Sequence, residues 1–249
     1  MKFLITIAVS LFTTLNAFGT EYVLDEARSR SIPIDISHPT HSERCTLKAR
    51  CSVAFISAGY GVPHDKYEFL VDTFNKLGFL SVAIAHELPQ DPELSREGNL
   101  YETRSENWIR GAATLDFLLH NLKGKFTEYD FDSIVLVGHS NGGDISSWLA
   151  NENPSFIASV ITLDNRRVPL PRNENIKVFS IRGSDFPADR GVLPSEREVS
   201  EYDICVVKIP QSKHNDMSDF GPHWLKKKIS KLVERYIKDA ACASLKHDA

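Results

Sequence analysis

Several things are scarce in this sequence. Only 4 of its 249 residues are cysteine. No two of them stand as Cys-x-x-Cys, which excludes zinc ribbons and thioredoxin-type redox sites. His-Glu-x-x-His, the P-loop and Gly-x-Gly-x-x-Gly are missing too, so the sequence offers no metal, nucleotide or other cofactor site. Basic residues are not in excess: 29 Lys and Arg stand against 33 Asp and Glu, a net charge of −4. A mildly acidic chain without a basic block is a poor match for nucleic acid, which is held through its phosphates. The 13 Gly and 12 Pro are scattered, so collagen-like and low-complexity classes fall away. No apolar run reaches the ~20 residues that a membrane-spanning helix needs.

What remains is an ordinary globular composition, 42% hydrophobic and 25% charged, in a chain long enough to bury a sizeable core. Its first residues have a different character. Met1 and Lys2 precede a mostly apolar stretch at 3–15 (FLITIAVSLFTTL), and Ala17-x-Gly19 fits a small-x-small cleavage rule. This pattern predicts a cleaved signal peptide over 1–19 and a mature chain of 20–249, with no stable membrane insertion once the leader is gone. Losing Lys2 leaves 28 basic against 33 acidic side chains, a net charge of −5. The expected location is periplasmic or secreted. Cysteine usage fits export: Cys45 and Cys51 bracket a short charged stretch, and Cys205 and Cys242 are spaced to tie the last helix down. Four cysteines allow three pairings, as well as free thiols, and sequence alone does not choose.

The body alternates strand-like and helix-like segments. Short apolar runs occur at 31–36, 52–57, 79–85, 133–137, 157–163, 176–182 and 204–209. Between them lie amphipathic stretches at 67–77, 102–122, 142–150 and 224–237, the second with Trp108, Ala112, Leu115, Leu119 and Leu122 on one face. That alternation predicts an α/β fold in one domain: a mostly parallel sheet covered by helices on both faces, with the first strand or two antiparallel at an edge.

One segment carries chemistry. SIVLVGHSNGG, residues 133–143, contains Gly138-His139-Ser140-Asn141-Gly142, a Gly-x-Ser-x-Gly pattern between a strand and a helix. A serine on so sharp a turn needs small neighbours two positions away, and the helix start behind it favours developing negative charge. On these residues the chain resembles the α/β-hydrolase family over roughly 22–239. Its feel is closest to a compact, lidless branch that includes dienelactone hydrolase and acetylhydrolases. The resemblance implies an α/β-hydrolase fold, with Ser140 as nucleophile and the Asn141 N–H as one oxyanion donor. The second donor is then the N–H of Tyr60, in Ser57-Ala58-Gly59-Tyr60-Gly61, where many relatives have His in place of Ala58. His214, between the last strand and the last helix, takes the place of the base, ahead of His223 and His247. Asp185 is the favoured acid, Asp189 the alternative, and Asp164 a third choice.

Other residues have weaker standing. His139 is expected to pack or to line the pocket, and His86, Glu87 and Arg110 lie near strand ends that could face it. Trp108 reads as helix core. Arg166 and Arg167 are placed to meet an anionic substrate group or to form a solvated charge pair. The stretch 164–175 is too short for a large lid, whereas the polar stretch 87–101 could flank an entrance. The resulting expectation is an exported serine hydrolase of small carboxylic esters, working through an acyl-enzyme. A peptidase or acyltransferase on the same residues is the alternative, and a non-catalytic binding protein the reading from another class.

Overall fold

The structure, a computed structural model, describes residues 19–152 and 154–249. All of the expected leader but Gly19 therefore lies outside the described residues. Among the described residues eight strands form one sheet in the order β1-β2-β4-β3-β5-β6-β7-β8. They are β1 (Glu21–Asp25), β2 (Arg30–Ser37), β3 (Cys51–Ser57), β4 (Leu80–Ile84), β5 (Tyr129–His139), β6 (Ile157–Leu163), β7 (Lys177–Arg182) and β8 (Ile204–Lys208). From β4 to β8 in spatial order every neighbouring pair is parallel, while β2 runs antiparallel to β4 and β1 antiparallel to β2 at the edge. The helices are α1 (Glu68–Lys76), α2 (Leu100–Lys125), α3 (Asn141–Asn151), α4 (Glu196–Glu201), α5 (His223–Ile237) and α6 (Cys242–Asp248).

Side-chain alternation along the central strands explains the two-layered core. Val53, Phe55, Ile134 and Leu136 point to one face, where they pack with Trp108, Leu115 and Leu119 of α2 and Ile145 of α3. Ala54, Ile56, Val135 and Val137 point to the other, against Phe74 of α1 and Leu225 and Ile229 of α5. With both faces covered, these strands are apolar at nearly every position, as buried parallel strands must be.

Three short elements were not expected from sequence: β1, α4 and α6. Two disulfides brace the chain, Cys45 with Cys51 and Cys205 with Cys242. The second joins β8 to the first residue of α6. No helix among the described residues is long and apolar enough to cross a membrane. The β6–β7 connection carries no helix, so nothing large covers the ends of the strands there.

Candidate active site

Ser140 sits between β5 and α3 at φ 52° and ψ −118°. A positive φ in a non-glycine residue costs of order 1–3 kcal/mol and persists only where the surroundings enforce it. The neighbouring glycines do the enforcing. A Cβ on Gly138 would lie 2.2 Å from the Gly142 carbonyl oxygen, and one on Gly142 would lie 2.2 Å from the Ser57 carbonyl oxygen. Only glycine at both positions lets the chain turn this tightly and lift the Ser140 hydroxyl out of the sheet.

A chain of hydrogen bonds leads away from that hydroxyl. Ser140 Oγ is 2.9 Å from His214 Nε2, and His214 Nδ1 is 2.8 Å from Asp164 Oδ2. Asp164 follows β6 directly, at φ 58°, and is fully buried. Its other oxygen accepts the Gly183 N–H at 3.0 Å and pairs with Arg182 Nη2 at 3.0 Å. Burial alone would raise this carboxyl. Hydrogen bonding from His214, the Arg182 charge and the Gly183 N–H outweigh that and hold it below its ordinary value.

The sequence expectation for the acid is corrected here. Asp185 does not face the imidazole: its Oδ1 accepts the main-chain N–H of His214 at 2.8 Å. Asp189 is further removed, paired with Arg167 at 2.5 Å. The loop after β7 therefore grips the backbone of His214, and the loop after β6 grips its ring.

His139, expected to pack or to line the pocket, links two loops. Its Nε2 is 3.0 Å from the His214 carbonyl oxygen, and its Nδ1 is 2.8 Å from the Tyr67 hydroxyl. The same hydroxyl accepts the Gly59 N–H at 2.9 Å. One proton arrangement satisfies all three bonds: Nε2–H donates to the carbonyl, and Tyr67 donates to Nδ1. Burial first, and the neighbouring His214 second, push His139 down to about 3, so its ring is neutral. The turn bearing Tyr60 and the loop bearing His214 are thus joined through one buried imidazole. Sequence reasoning missed Tyr67 as a partner here and took it for the start of a helix.

Asn141 opens α3, where a helix leaves its first N–H groups without intrahelical partners. Its side chain is buried in a polar knot: Nδ2 donates to Glu87 Oε1 at 2.9 Å and Asn107 Oδ1 at 2.8 Å, and Oδ1 accepts the Trp108 indole N–H at 2.9 Å. Trp108 is core, as expected, and in addition positions Asn141. Glu87 reaches Asn141 as well, and burial raises its carboxyl. His86 instead bonds Ser57 Oγ at 2.9 Å, and Arg110 pairs with Asp91 and Glu106. His223 begins α5 and lines a groove between α1 and α5 that contains none of the residues around Ser140. His247 is almost fully exposed in the last helix.

Above Ser140 lies a cavity of about 250 Å³. Tyr60, half-exposed, forms part of its wall, and its hydroxyl accepts the Leu94 N–H at 3.0 Å. The polar 87–101 stretch therefore does flank the entrance. Arg166 and Arg167 line the cavity too and are not a solvated pair. Among the described residues no group of three His, Cys, Asp or Glu side chains is placed to hold a metal ion.

No protein-family profile matches the chain, and neither does any curated protein sequence. Solved structures do. Est1E from Butyrivibrio proteoclasticus is similar at a TM-score of 0.59, with 13% identity over 89% of this chain and 98% of its own. A thermophilic esterase from Thermogutta terrifontis, Est2 with propionate bound, is similar at 0.67, with 12% identity over 89% of this chain and 94% of its own. An alpha-beta serine hydrolase homologue from Coxiella burnetii is similar at 0.55, with 15% identity over 88% and 96%. Sheet order, crossovers and these likenesses together show that the chain has the α/β-hydrolase fold.

Proposed function

We propose that this chain, on its α/β-hydrolase fold, is an exported serine hydrolase that cleaves carboxylic esters, with Ser140 as nucleophile, His214 as base and Asp164 as the acid partner. The observation that carries this reading is the unbroken chain Ser140 Oγ, His214 Nε2, His214 Nδ1, Asp164 Oδ2, built on a strained serine turn. In the first half-reaction the Ser140 oxygen attacks the ester carbonyl while its proton passes to His214 Nε2. The tetrahedral oxyanion is held by the main-chain N–H groups of Asn141 and Tyr60. Collapse breaks the bond to the alcohol, which leaves with the proton from His214, and an acyl-enzyme remains. Water, losing its proton to His214, then releases the acid and restores Ser140.

Asp164 keeps the imidazole in the tautomer with hydrogen on Nδ1 and stabilises the imidazolium without taking its proton. Its buried pair with Arg182 supports that role, because an acid held below its ordinary range stays a carboxylate beside the cation. The esterases among the solved structures support an ester substrate. A cavity of about 250 Å³ without a lid supports a small one. Two disulfides and the N-terminal composition support export.

The test is labelling with a fluorophosphonate probe, with Ser140→Ala beside the native chain, followed by hydrolysis of short 4-nitrophenyl esters. Stoichiometric labelling that disappears in Ser140→Ala, with ester turnover, is the expected result. A folded native chain that neither labels nor turns over esters would overturn the reading.

A further inference from the structure

Much of the cavity wall is built from arginine. Arg96, Arg104, Arg166 and Arg167 all line it, around Ser140 and Phe186. Four guanidinium groups in one small cavity are unusual in a chain whose net charge is −4. Among the described residues only one of the four is in an ion pair with a carboxylate, although Asp144 also lines the cavity. Asp189 pairs with Arg167 at 2.5 Å. Asp144 spends its Oδ1 on the main-chain N–H groups of Arg166, Arg167 and Val168, at 3.2, 2.9 and 2.9 Å. Asp164 is engaged by Arg182 and His214.

The guanidinium donors are largely unspent. Arg104 uses Nε on the Ser95 carbonyl at 2.7 Å and makes no other side-chain hydrogen bond among the described residues. The Arg166 and Arg96 guanidiniums have no hydrogen bond or ion pair there, and Arg166 Nε is buried without a partner. Arg166 instead lies flat over the Phe186 ring, 3.2 Å from its centroid, and that ring stands 4.3 Å from the His214 ring. Burial and the charge of Arg167 both lower Arg104 and Arg166, so these cations gain from an anion placed among them.

The arrangement is also prepared in advance. By accepting three consecutive N–H groups, Asp144 in the first turn of α3 clamps the arginine loop to the helix that starts at Ser140. Asn165 adds a bond from Nδ2 to the Val168 carbonyl at 3.0 Å. The main chain that carries Arg166 and Arg167 is therefore tied to the helix that begins beside Ser140.

We propose that the substrate is an anionic ester, bearing a carboxylate or phosphate a short distance from the scissile carbonyl, and that Arg104 and Arg166 bind this group, with Arg96 and Arg167 adding charge. Guanidinium forks match both oxyanions bidentately. This rests on the ester-hydrolase reading for the word ester, while the anion site stands on the cavity itself. Arg166 is one aromatic ring removed from the base, which suits a short spacer between the two ends of the substrate.

Two pairs of compounds locate the anion. Mono-4-nitrophenyl glutarate against 4-nitrophenyl hexanoate places it on the acyl side. 4-Acetoxybenzoate against its methyl ester places it on the alcohol side. In at least one pair the charged member has a kcat/KM higher by about 10- to 100-fold at low salt, mostly through KM, as a charged hydrogen bond predicts. That ratio falls as salt rises and drops about tenfold in Arg166→Gln and in Arg104→Gln. Ratios of one or less in both pairs, with neutral esters turned over, overturn the anion site and leave the ester-hydrolase reading standing. Calorimetry on Ser140→Ala separates the two claims without turnover. Monomethyl glutarate binds more tightly than methyl hexanoate, and Arg166→Gln weakens its binding about tenfold. That result in a chain that hydrolyses no ester would keep the anion site and sink the esterase. Equal or absent binding of both compounds would sink the anion site.

Discussion

The loops that follow β6 and β7 each deliver a carboxylate to His214, and they deliver it to different atoms. Asp164, after β6, is fully buried and meets the ring at Nδ1, while Asp185, after β7, lies nearer solvent and meets the main-chain N–H. The two carboxylates are 21 positions apart and both follow parallel strands. What separates them is the surrounding charge. Asp164 has Arg182 and the Gly183 N–H on its second oxygen, so it can sit ionised in the interior, where an imidazolium beside it would be strongly stabilised. Asp185 has a screened position and no such support. A carboxylate that orients a ring must be deep and compensated; one that pins a backbone need only reach an N–H.

Asparagine substitution breaks the comparison most sharply. Asp164→Asn keeps the shape but offers the wrong group to Nδ1–H, and is expected to lower kcat by about 10⁴. Asp185→Asn keeps an oxygen that accepts the His214 N–H, so its kcat stays within a fewfold of the native value. Steady-state kinetics on a short 4-nitrophenyl ester decides. Equal losses in the two variants, or the larger loss at Asp185, would reverse the assignment.

Arg182 supplies the next test. It is the one charged side chain deep in β7 that pairs with Asp164, and it also donates to the Asn165 carbonyl at 2.6 Å. Arg182→Met strips the compensation and leaves a buried carboxylate alone, which costs about 3–5 kcal/mol of folding stability. The same change moves Asp164 upward, so kcat/KM should lose its activity at a higher pH on the acid side. Denaturant unfolding and a pH–rate profile read the two effects. A native profile in a destabilised Arg182→Met would confine Arg182 to a structural role.

Much of this was legible before the structure. The strand pattern, the serine turn and the late histidine all depend on local sequence, and Gly138 and Gly142 are demanded by contacts that a Cβ would violate. Which aspartate meets the His214 ring was not legible by position alone, since two successive strand ends carry one. A signal was nevertheless present. Arg182 closes an apolar strand, KVFSIR, and a buried arginine needs a buried partner. In the register observed, Leu163 pairs with Ile181, which sets Asp164 beside Arg182. Register between parallel strands is tertiary information, and so is the return of α6 to β8 through Cys205–Cys242. The arginine cavity was half legible: Arg166 and Arg167 are adjacent, but Arg96 and Arg104 come from another loop and helix.

The backbone side of the comparison can be tested from Tyr67. Tyr67→Phe removes the hydroxyl that accepts the Gly59 N–H and donates to His139 Nδ1. Leaving those buried groups without partners costs roughly 1–3 kcal/mol. Because one group lies on the Tyr60 turn and the other braces the His214 loop, kcat is expected to fall with stability. A loss of stability with an unchanged kcat, measured well below the unfolding temperature, would mean that the bridge holds the fold and not the site.

His139 gives the smallest effect per step, and its sign can be worked out. Its ring is held down to about 3, from 6.5 in an unfolded chain. A histidine lowered in this way stabilises the fold fully above pH 6.5. That contribution is lost as pH falls toward 3, because the unfolded chain takes up a proton that the fold refuses. His86, also held down to about 3, acts in the same direction. Asp144 acts against them. Raised by burial to about 6, its contribution is present at low pH and lost as pH rises through 6, so acidification restores it. The native chain therefore shows a softened acid slope. His139→Gln removes one histidine term while its amide can still donate to the His214 carbonyl. The stability gap between the two chains should close by about 1.4 kcal/mol for each pH unit below 6.5, down toward pH 3. Parallel curves from paired denaturant titrations would show that His139 is already protonated within the fold, and the proton arrangement linking Tyr67 to the backbone of His214 would then have to be redrawn.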